Sequence, residues 1–482
     1  MKLFTRIALA AAAVSVAGCI TVGPDYKRPS IDVPATWRLD LVHEQEVANT
    51  RWWEQFGDPV LTNLVEIGLR DNLDVRVAAA RIDQFIGVLT STRAQSLPQI
   101  GYAGDVSRNR VSKVGFPPLS PAFDPEFNLF QGALGASWQL DLFGRVRRLS
   151  EAAQAQVYAS EQAQRGVVLS LVAGVATSYI ALRALDRQRE IAVATAAIFG
   201  ETVRIFTLRY NAGLVSETEL NEARAQYKLA QVTIPAIDQQ IAVLENGISI
   251  LLGHNPGPIA RGRTIEQLTR PAIPAGLPSV LLERRPDVLQ AEQNLVAANA
   301  NVGAARALYY PDISLTGVFG SVSTAAGDFL SGPAKTYSVA AELAGPIFTS
   351  GAISGQVQSA EAVKRQAELF YRQTILGAFS DTNNALTGVV EAEKQVVLQQ
   401  QRVGALRNYT RFTRHKFEYG LIGYLEVQLA ENDLFSAELT LAGLRAQRFV
   451  QVVNVYQAMG GGWVDKADAL TPAPVRSVDS RL

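Results

Sequence analysis

YNAGLVSETELNEA, residues 210–223, reads as a sharp reversal between two long helices. Glycine at 213 lets the backbone turn in the left-handed region, where other residues are strained. Before it, apolar residues recur in alternating steps of three and four: Val168, Leu171, Val175, Leu182, Leu185, Ala192, Ala196, Phe199, Val203, Phe206 and Tyr210. After it the rhythm resumes through Leu220, Ala223, Tyr227, Ala230, Ile234, Ile237, Ile241, Leu244, Ile248 and Leu251. A 3.5-residue period is the seam of a left-handed coiled coil. The rise from about Gly144 to Tyr210 covers roughly 66 residues, or ~100 Å at ~1.5 Å per residue. A single globular domain does not bury a rod of that length, so the chain builds something elongated.

The reversal occurs twice. FEYGLIGYLEVQLA, residues 417–430, repeats it at a step of 207, from Gly213 to Gly420. Leu220, Ala223, Tyr227, Ala230, Ile234 and Ile237 return as Val427, Ala430, Leu434, Ala437, Leu441 and Leu444, and Gly253 as Gly460. Upstream the step is 213: Val75, Ala78, Ile82, Phe85 and Leu89 meet Val288, Ala291, Leu295, Ala298 and Val302, and Pro98 meets Pro311. Two copies at this period are a tandem duplication. The copies run over 61–253 and 279–462, joined by a Gly- and Pro-rich linker at 254–278.

Composition excludes several classes. The 482 residues carry 45 basic and 45 acidic side chains, so no basic excess points to nucleic acid. One cysteine rules out a disulfide framework or a Cys-rich metal site. His43, His254 and His415 lack metal-ligand spacing. There is no GxSxG elbow before a helix, no P-loop and no HExxH, so the chain is not read as an enzyme, and no metal or other cofactor is expected.

The N-terminus reads as a secretion signal over 1–18, with Lys2 and Arg6 ahead of an apolar run from Ile7 to Ala17. Val16-Ala17-Gly18-Cys19 has the look of a lipobox, with small residues before the only cysteine. Cleavage there would leave Cys19 to carry S-diacylglycerol and an N-acyl chain. Stable anchoring takes more than one such chain. Residues 19–60 lack periodicity and are expected as an extended strap on the outside of the molecule, anchored by Trp37, Trp52 and Trp53. Helix is expected from Leu61 through Asn72 to about Ser96, and Pro98 ends it. The polar tail, 463–482, is expected to be loosely ordered.

Between Phe130 and Leu142 the side chains alternate. Phe130, Leu134, Ala136, Trp138, Leu140 and Leu142 lie on one face; Gln131, Ser137, Gln139 and Asp141 lie on the other. A partner strand is expected from Gln99 to about Val111, across a loop spanning Gly115 to Pro125. The second copy repeats this: Ile313, Leu315 and Phe319 oppose Asp312, Ser314 and Thr316. After a loop from about Ser323 to Ala334, Tyr337, Val339, Ala341 and Leu343 oppose Ser338 and Glu342. Such strands fit a membrane β-barrel with a wet interior, or a half-buried sheet in a soluble protein. Geometry sharpens the choice. Four strands do not close a barrel, and an open sheet edge in lipid leaves unpaired backbone. Three chains would pool twelve strands, and their helices would continue the barrel as a hollow cylinder. Gly166–Leu182 is uncharged and nearly long enough to span a bilayer. It lies inside the heptad seam, and its counterpart carries Asp381, Asn383 and Asn384, so it is read as protein interior.

The lipobox followed by VGPDYKRP, the Trp52-Trp53 segment leading to Phe56, Asp58-Pro59 and Asn72, the run ERRPDV at 283–288 with Ala291-Glu292, and Pro346-Ile347-Phe348 with Gly351 together resemble the TolC-like outer-membrane efflux proteins. The similarity is to the lipoprotein branch named for NodT and OprM, and it covers nearly the whole mature chain. The resemblance implies a homotrimer: a mainly α fold with a 12-stranded transmembrane β-barrel continued by a 12-helix coiled-coil barrel in the periplasm. It implies an outer-membrane exit duct for drugs or small toxic compounds, working with a periplasmic adaptor and an inner-membrane pump of the RND type.

By the same resemblance, the tips dock the adaptor through Gly213, Leu214, Val215 and Ser216, and through Gly420, Leu421, Ile422 and Gly423. The family closes its tunnel with a Leu and an Asp four residues later. Leu425 fits the Leu, Leu429 stands where the Asp would be, and Glu426 and Glu431 lie nearby to supply charge. Gln131, Gln139, Asp141, Asp312 and Glu342 are expected to line the wet side of the barrel and to give a mild cation preference. A duct for type I protein secretion is the alternative on the same architecture. A structural coiled-coil lipoprotein is less consistent, because a spacer needs no amphipathic strands.

Overall fold

The computed structural model describes residues 21–34, 36–37, 50–114, 124–273, 282–461 and 469–472. The signal segment, Cys19, most of the 115–125 loop and most of the tail expected at 463–482 lie outside them. Asp58 and Pro59 start the helical part: Pro59 is the first residue of α1 (Pro59–Asp71), and the Asp58 side chain accepts from Val60 N at 2.9 Å. The single helix expected through Asn72 is two. Asn72 ends α1 and caps α2 (Leu73–Ala94), its Oδ1 accepting from Val75 N at 3.0 Å. A short polar side chain that bonds its own backbone competes with helix continuation. Its Nδ2 donates to Leu251 O, tying the break to the far end of the first hairpin.

The order is then β1 (Gln99–Arg110), β2 (Glu126–Leu140), α3 (Arg145–Asn211), α4 (Glu217–Leu251), α5 (Pro286–Ala307), β3 (Asp312–Ser323), β4 (Lys335–Ala344), α6 (Ala352–Glu418) and α7 (Tyr424–Ala458). The duplication is explicit: α3 and α6 are each 67 residues long, and α4 and α7 each 35. Each copy contributes a helix, two strands and a long hairpin. Where the hairpins meet α1, the seam residues pool into the main core. Val168, Leu171, Val175, Tyr179 and Leu182 pack with Ile375, Leu386, Phe449, Val452 and Tyr456. Most of the uncharged run from 166 to 182 is therefore covered by protein, with Ser170 exposed.

Trp52 and Trp53 are not on the outside. They lie in a short 3-10 turn (Trp52–Phe56), are fully buried, and Trp52 stacks on Tyr456 at 5.1 Å between ring centroids. Burying rings this large contributes more than any surface strap position could. The strap proper, residues 21–34, does run along the outside. Arg28 pairs with Glu292, Tyr26 OH donates to the same carboxylate, and Asn299 Nδ2 donates to Pro24 O. Gly23, at φ +98°, lies against Gly303, where a Cβ on either would collide with backbone.

Part of the linker, residues 254–273, is stitched to the start of α1 by one carboxylate. Asp58 Oδ2 accepts from Tyr179 OH and from Arg263 N, both at 2.8 Å, and Gly262 N donates to the Tyr179 hydroxyl. Burial, with Asp58 beside it, pushes the Tyr179 hydroxyl well above the ordinary tyrosine range, so it stays a donor. A Cβ at position 262 would strike Asp58 Oδ1, so only glycine passes here.

The four strands make one antiparallel sheet in the order β1-β2-β3-β4. Directly paired residues share a face. Tyr102, Leu134, Phe319 and Tyr337 form one row across all four strands, and Ile100, Ala136, Gly317 and Val339 form the next. The opposite face carries Gln99, Ser137 and Thr316 in one row, and Gln139, Ser314 and Glu342 in another. Large apolar side chains of the first face, Tyr102, Phe319, Tyr337 and Val339 among them, stand exposed. The outer edges of β1 and β4 have no strand partner among the described residues.

Replacing Asp58 with alanine leaves three backbone or hydroxyl donors unpaired in a buried place, a cost on the order of 3 kcal/mol. The expected outcome is a clearly lower temperature of heat dissociation for Asp58→Ala, with Asp58→Asn between it and the wild type. Equal transition temperatures would show that the stitch contributes nothing.

Candidate functional site

Three regions carry the sequence-derived candidates: the hairpin tips, the stretch of α7 above them, and the polar face of the sheet. At the first tip Gly213 sits at φ +72°, Gly213 N bonds Tyr210 O, and Leu214 N bonds Arg209 O. At the second Gly420 sits at φ +70°, Gly420 N bonds Phe417 O, and Leu421 N bonds Lys416 O. Paired reverse bonds of this kind close a helix end on a left-handed glycine. Leu214 and Leu421 project outward, 74% and 71% exposed. Val215 and Ile422 instead turn in and pack on a cluster of Phe206, Leu220, Ala223, Tyr424 and Val427. Phe206 lies 4.5 Å from the Tyr424 ring and joins the two tips.

The tips differ in how the returning helix is capped. Ser216 forms a capping box with Glu219, its Oγ accepting from Glu219 N and its own N donating to the Glu219 carboxylate. The second copy keeps the acid, Glu426, but has Gly423 where the serine would be, and no side chain caps α7. The hairpins are thus alike in shape and unlike in how firmly the returning helix starts.

Along α7, Leu425 and Leu429 lie one turn apart on a single exposed stripe, 56% and 54% exposed. Asp433, Ser436 and Thr440 continue it. The opposite side of α7 holds Val427, Ala430, Phe435 and Leu441, buried against α3 and α6. Glu431 belongs to that buried side. It is 7% exposed, and Arg414 Nε of α6 donates to its Oε1 at 2.7 Å. Burial raises its carboxyl above the usual range, and the Arg414 guanidinium opposes that rise. The sequence grouping of Glu431 with Leu425 and Leu429 is therefore corrected: steps of two and six residues, at about 100° per residue, carry it to the far side of the helix. Glu426 is exposed but off the centre of the stripe. The acid that does share the stripe is Asp433, four residues beyond Leu429, a spacing that could have found it.

On the sheet, Gln131, Gln139, Asp312 and Glu342 fall on the polar face. Asp141 does not. Strand β2 ends at Leu140, and the Asp141 carboxylate accepts from Val146 N at 3.1 Å and Arg147 N at 2.9 Å. An acid at a helix start is held by free N–H groups and the helix dipole, so Asp141 opens α3 and does not line the strand face. Among the described residues no cluster of metal-ligating side chains is present.

A glycine-to-serine change at 423 should complete the missing capping box with Glu426. A gain of roughly 0.5 kcal/mol is expected at the start of α7. Hydrogen exchange at the first α7 amides should slow about twofold in Gly423→Ser; unchanged exchange there would remove the asymmetry argument.

Comparison with known proteins places this geometry. The family profile described as "Outer membrane efflux protein" matches residues 64–254 and 277–461. The toluene efflux pump outer membrane protein TtgC of Pseudomonas putida is 32% identical over 471 residues, 95% of this chain and 96% of that protein. The probable outer membrane lipoprotein SilC of Salmonella typhimurium is 29% identical, covering 93% and 97%. The open-state crystal structure of the Neisseria gonorrhoeae MtrE outer membrane channel superposes with a TM-score of 0.83 at 27% identity, over 92% of this chain and 99% of that one.

Proposed function

The chain belongs to the outer membrane efflux protein family, and we propose that three copies close their sheets into one twelve-stranded barrel and serve as the exit duct of a tripartite efflux pump. The observation that carries this reading is the bare sheet. Among the described residues its apolar rows stand exposed, its other face carries the polar rows of Gln99, Ser137 and Thr316 and of Gln139, Ser314 and Glu342, and both outer edges are unpaired. In hydrocarbon those edges cost several kcal/mol per backbone group unless another strand pairs them. Copies of the same chain supply such strands, β1 of one beside β4 of the next.

The apolar rows then face lipid, and Gln131, Gln139, Asp312 and Glu342 face a wet bore. Trp138, whose Nε1 donates to Ser96 O at the end of α2, sits at the level where an indole suits a membrane boundary. The strap supports a lipid on Cys19. Thr21 lies against Gly144, and Val22 N bonds Phe143 O, between the end of β2 and the start of α3. Cys19 precedes Thr21 by two residues in the sequence.

The exposed stripe of α7 faces the bore near its deep end. Six leucines from three chains, at 425 and 429, narrow it to an apolar constriction that holds little water. Asp433 places a carboxylate ring one turn above. Opening swings α6 and α7 outward as a unit, because Arg407–Glu438, Arg414–Glu431 and the Thr410 bond to Ala430 O hold them together. Leu214 and Leu421, at the tips, are the contacts offered to a periplasmic adaptor, which links the duct to an inner-membrane pump of the RND type. Small organic toxicants are the cargo, and their selection belongs to the pump.

Planar-bilayer recording of the purified assembly tests the reading. Resting conductance should be low and should rise severalfold in the double variant Leu425→Ser, Leu429→Ser. Reversal potentials should show a mild cation preference that Asp433→Asn reduces. A wild-type assembly that stays monomeric, or never conducts, would end the duct reading; unchanged conductance in the double variant would end only the placement of the constriction.

A further inference from the structure

On the side of α7 away from the exposed stripe, a groove of about 340 Å³ opens between the two hairpins. Its floor is apolar: Ile198 and Phe199 come from α3, and Leu434 and Phe435 from α7. Its rim is α6, where Arg407, Arg411 and Arg414 recur at steps of four and three and so share one face. The carboxylates of the groove are already engaged. Glu438 is held by Arg407, Glu431 by Arg414, and Glu418 by the His415 ring. Arg411, midway between the two ion pairs, has no carboxylate partner among the described residues. It donates to Asn408 Oδ1 at 3.1 Å and lies 5.0 Å from the Phe412 ring centroid, and neither group neutralises a guanidinium.

We propose that this groove binds an amphipathic organic monoanion, an aryl or alkyl carboxylate or sulfonate. Its apolar body rests on Phe199, Leu434 and Phe435, and its anionic head meets Arg411. The chemistry is specific on both counts. A planar guanidinium with free N–H groups matches a carboxylate or sulfonate. The volume is at the small end of the range for ligand sites, so it suits one ring system or a short chain. Arginines on either side of Arg411 are occupied, which restricts the site to a single negative charge. An occupant touches α3 of the first hairpin and α6 and α7 of the second at once. It therefore favours the arrangement in which the hairpins are together, because it makes those contacts in no other.

The experiment uses the full-length assembly in lipid nanodiscs. The probe is 8-anilinonaphthalene-1-sulfonate, followed by fluorescence with the empty-nanodisc signal subtracted. Its uncharged relative N-phenyl-1-naphthylamine is titrated in parallel. The expected result is saturable binding of the sulfonate, weakened tenfold or more by Arg411→Glu and severalfold by Arg411→Gln, which keeps much of the side chain's stem. Arg224→Glu on α4, outside the groove, should bind as the wild type does. Native electrophoresis of each variant checks that the assembly is intact. Sulfonate binding unaffected by both Arg411 changes, no saturable binding in the wild type, or equal affinity for the uncharged relative would each overturn the proposal.

Discussion

Backbone hydrogen bonding in hydrocarbon sets the terms for this molecule. A strand in lipid has no water to satisfy its N–H and C=O groups, so every ladder must be completed by protein. Within one chain β1 to β4 complete three ladders and leave two edges open. The remaining architecture follows from that shortfall. The apolar row of Tyr102, Leu134, Phe319 and Tyr337 gains nothing by turning inward, because the described residues form no core there to receive it. It is stable only where the surroundings are themselves apolar. The long helices then extend the wall that the strands begin, each copy giving two strands and one long hairpin.

The duplication supplies two staves from one design, but the copies are not equivalent. Their shared features are those of geometry: helix lengths, the left-handed glycines at 213 and 420, the paired reverse bonds at each tip. Their differences are in local fastening. Ser216 locks the start of α4 and Gly423 leaves the start of α7 unlocked. Arg414 and Glu431 bind α6 to α7, whereas the positions 207 residues earlier in the first copy are Thr207 and Arg224, which form no such ion pair with each other. Arg189 and Asp238 join α3 to α4 higher up the rod. The second hairpin is thus cross-linked from near its tip, at Arg414–Glu431, up to Arg407–Glu438 and Arg448–Glu393, and the first at Arg189–Asp238.

Periodicity was legible in the chain, and contact was not. The 3.5-residue seam, the glycine at each reversal and the two-residue alternation of the strands are local statements that no distant residue can alter. They gave the hairpins and the sheet. The errors fall where a side chain answers to something far away in sequence or just across a boundary. Asn72 breaks a helix because it caps the next one. Asp141 follows the strand parity but belongs to the helix that begins four residues later. Trp52 and Trp53, in a stretch without periodicity, are buried because Tyr456 and Phe449 lie opposite, some four hundred positions on. Glu431 was within two residues of Leu429 on paper and on the other side of the helix in space. The Asp58 stitch was missed for the same reason, since an isolated acid has no signature until its neighbours are placed; Asp433, one helical step of four beyond Leu429, did have one.

The open edges of β1 and β4 also bear on heredity. A chain damaged at one edge still offers a sound one, so it can join two healthy partners and spoil the ring they would have made. Lesions confined to a single edge strand should therefore behave as dominant negatives in a cell carrying both alleles, whereas lesions that prevent the strands from forming at all should be recessive.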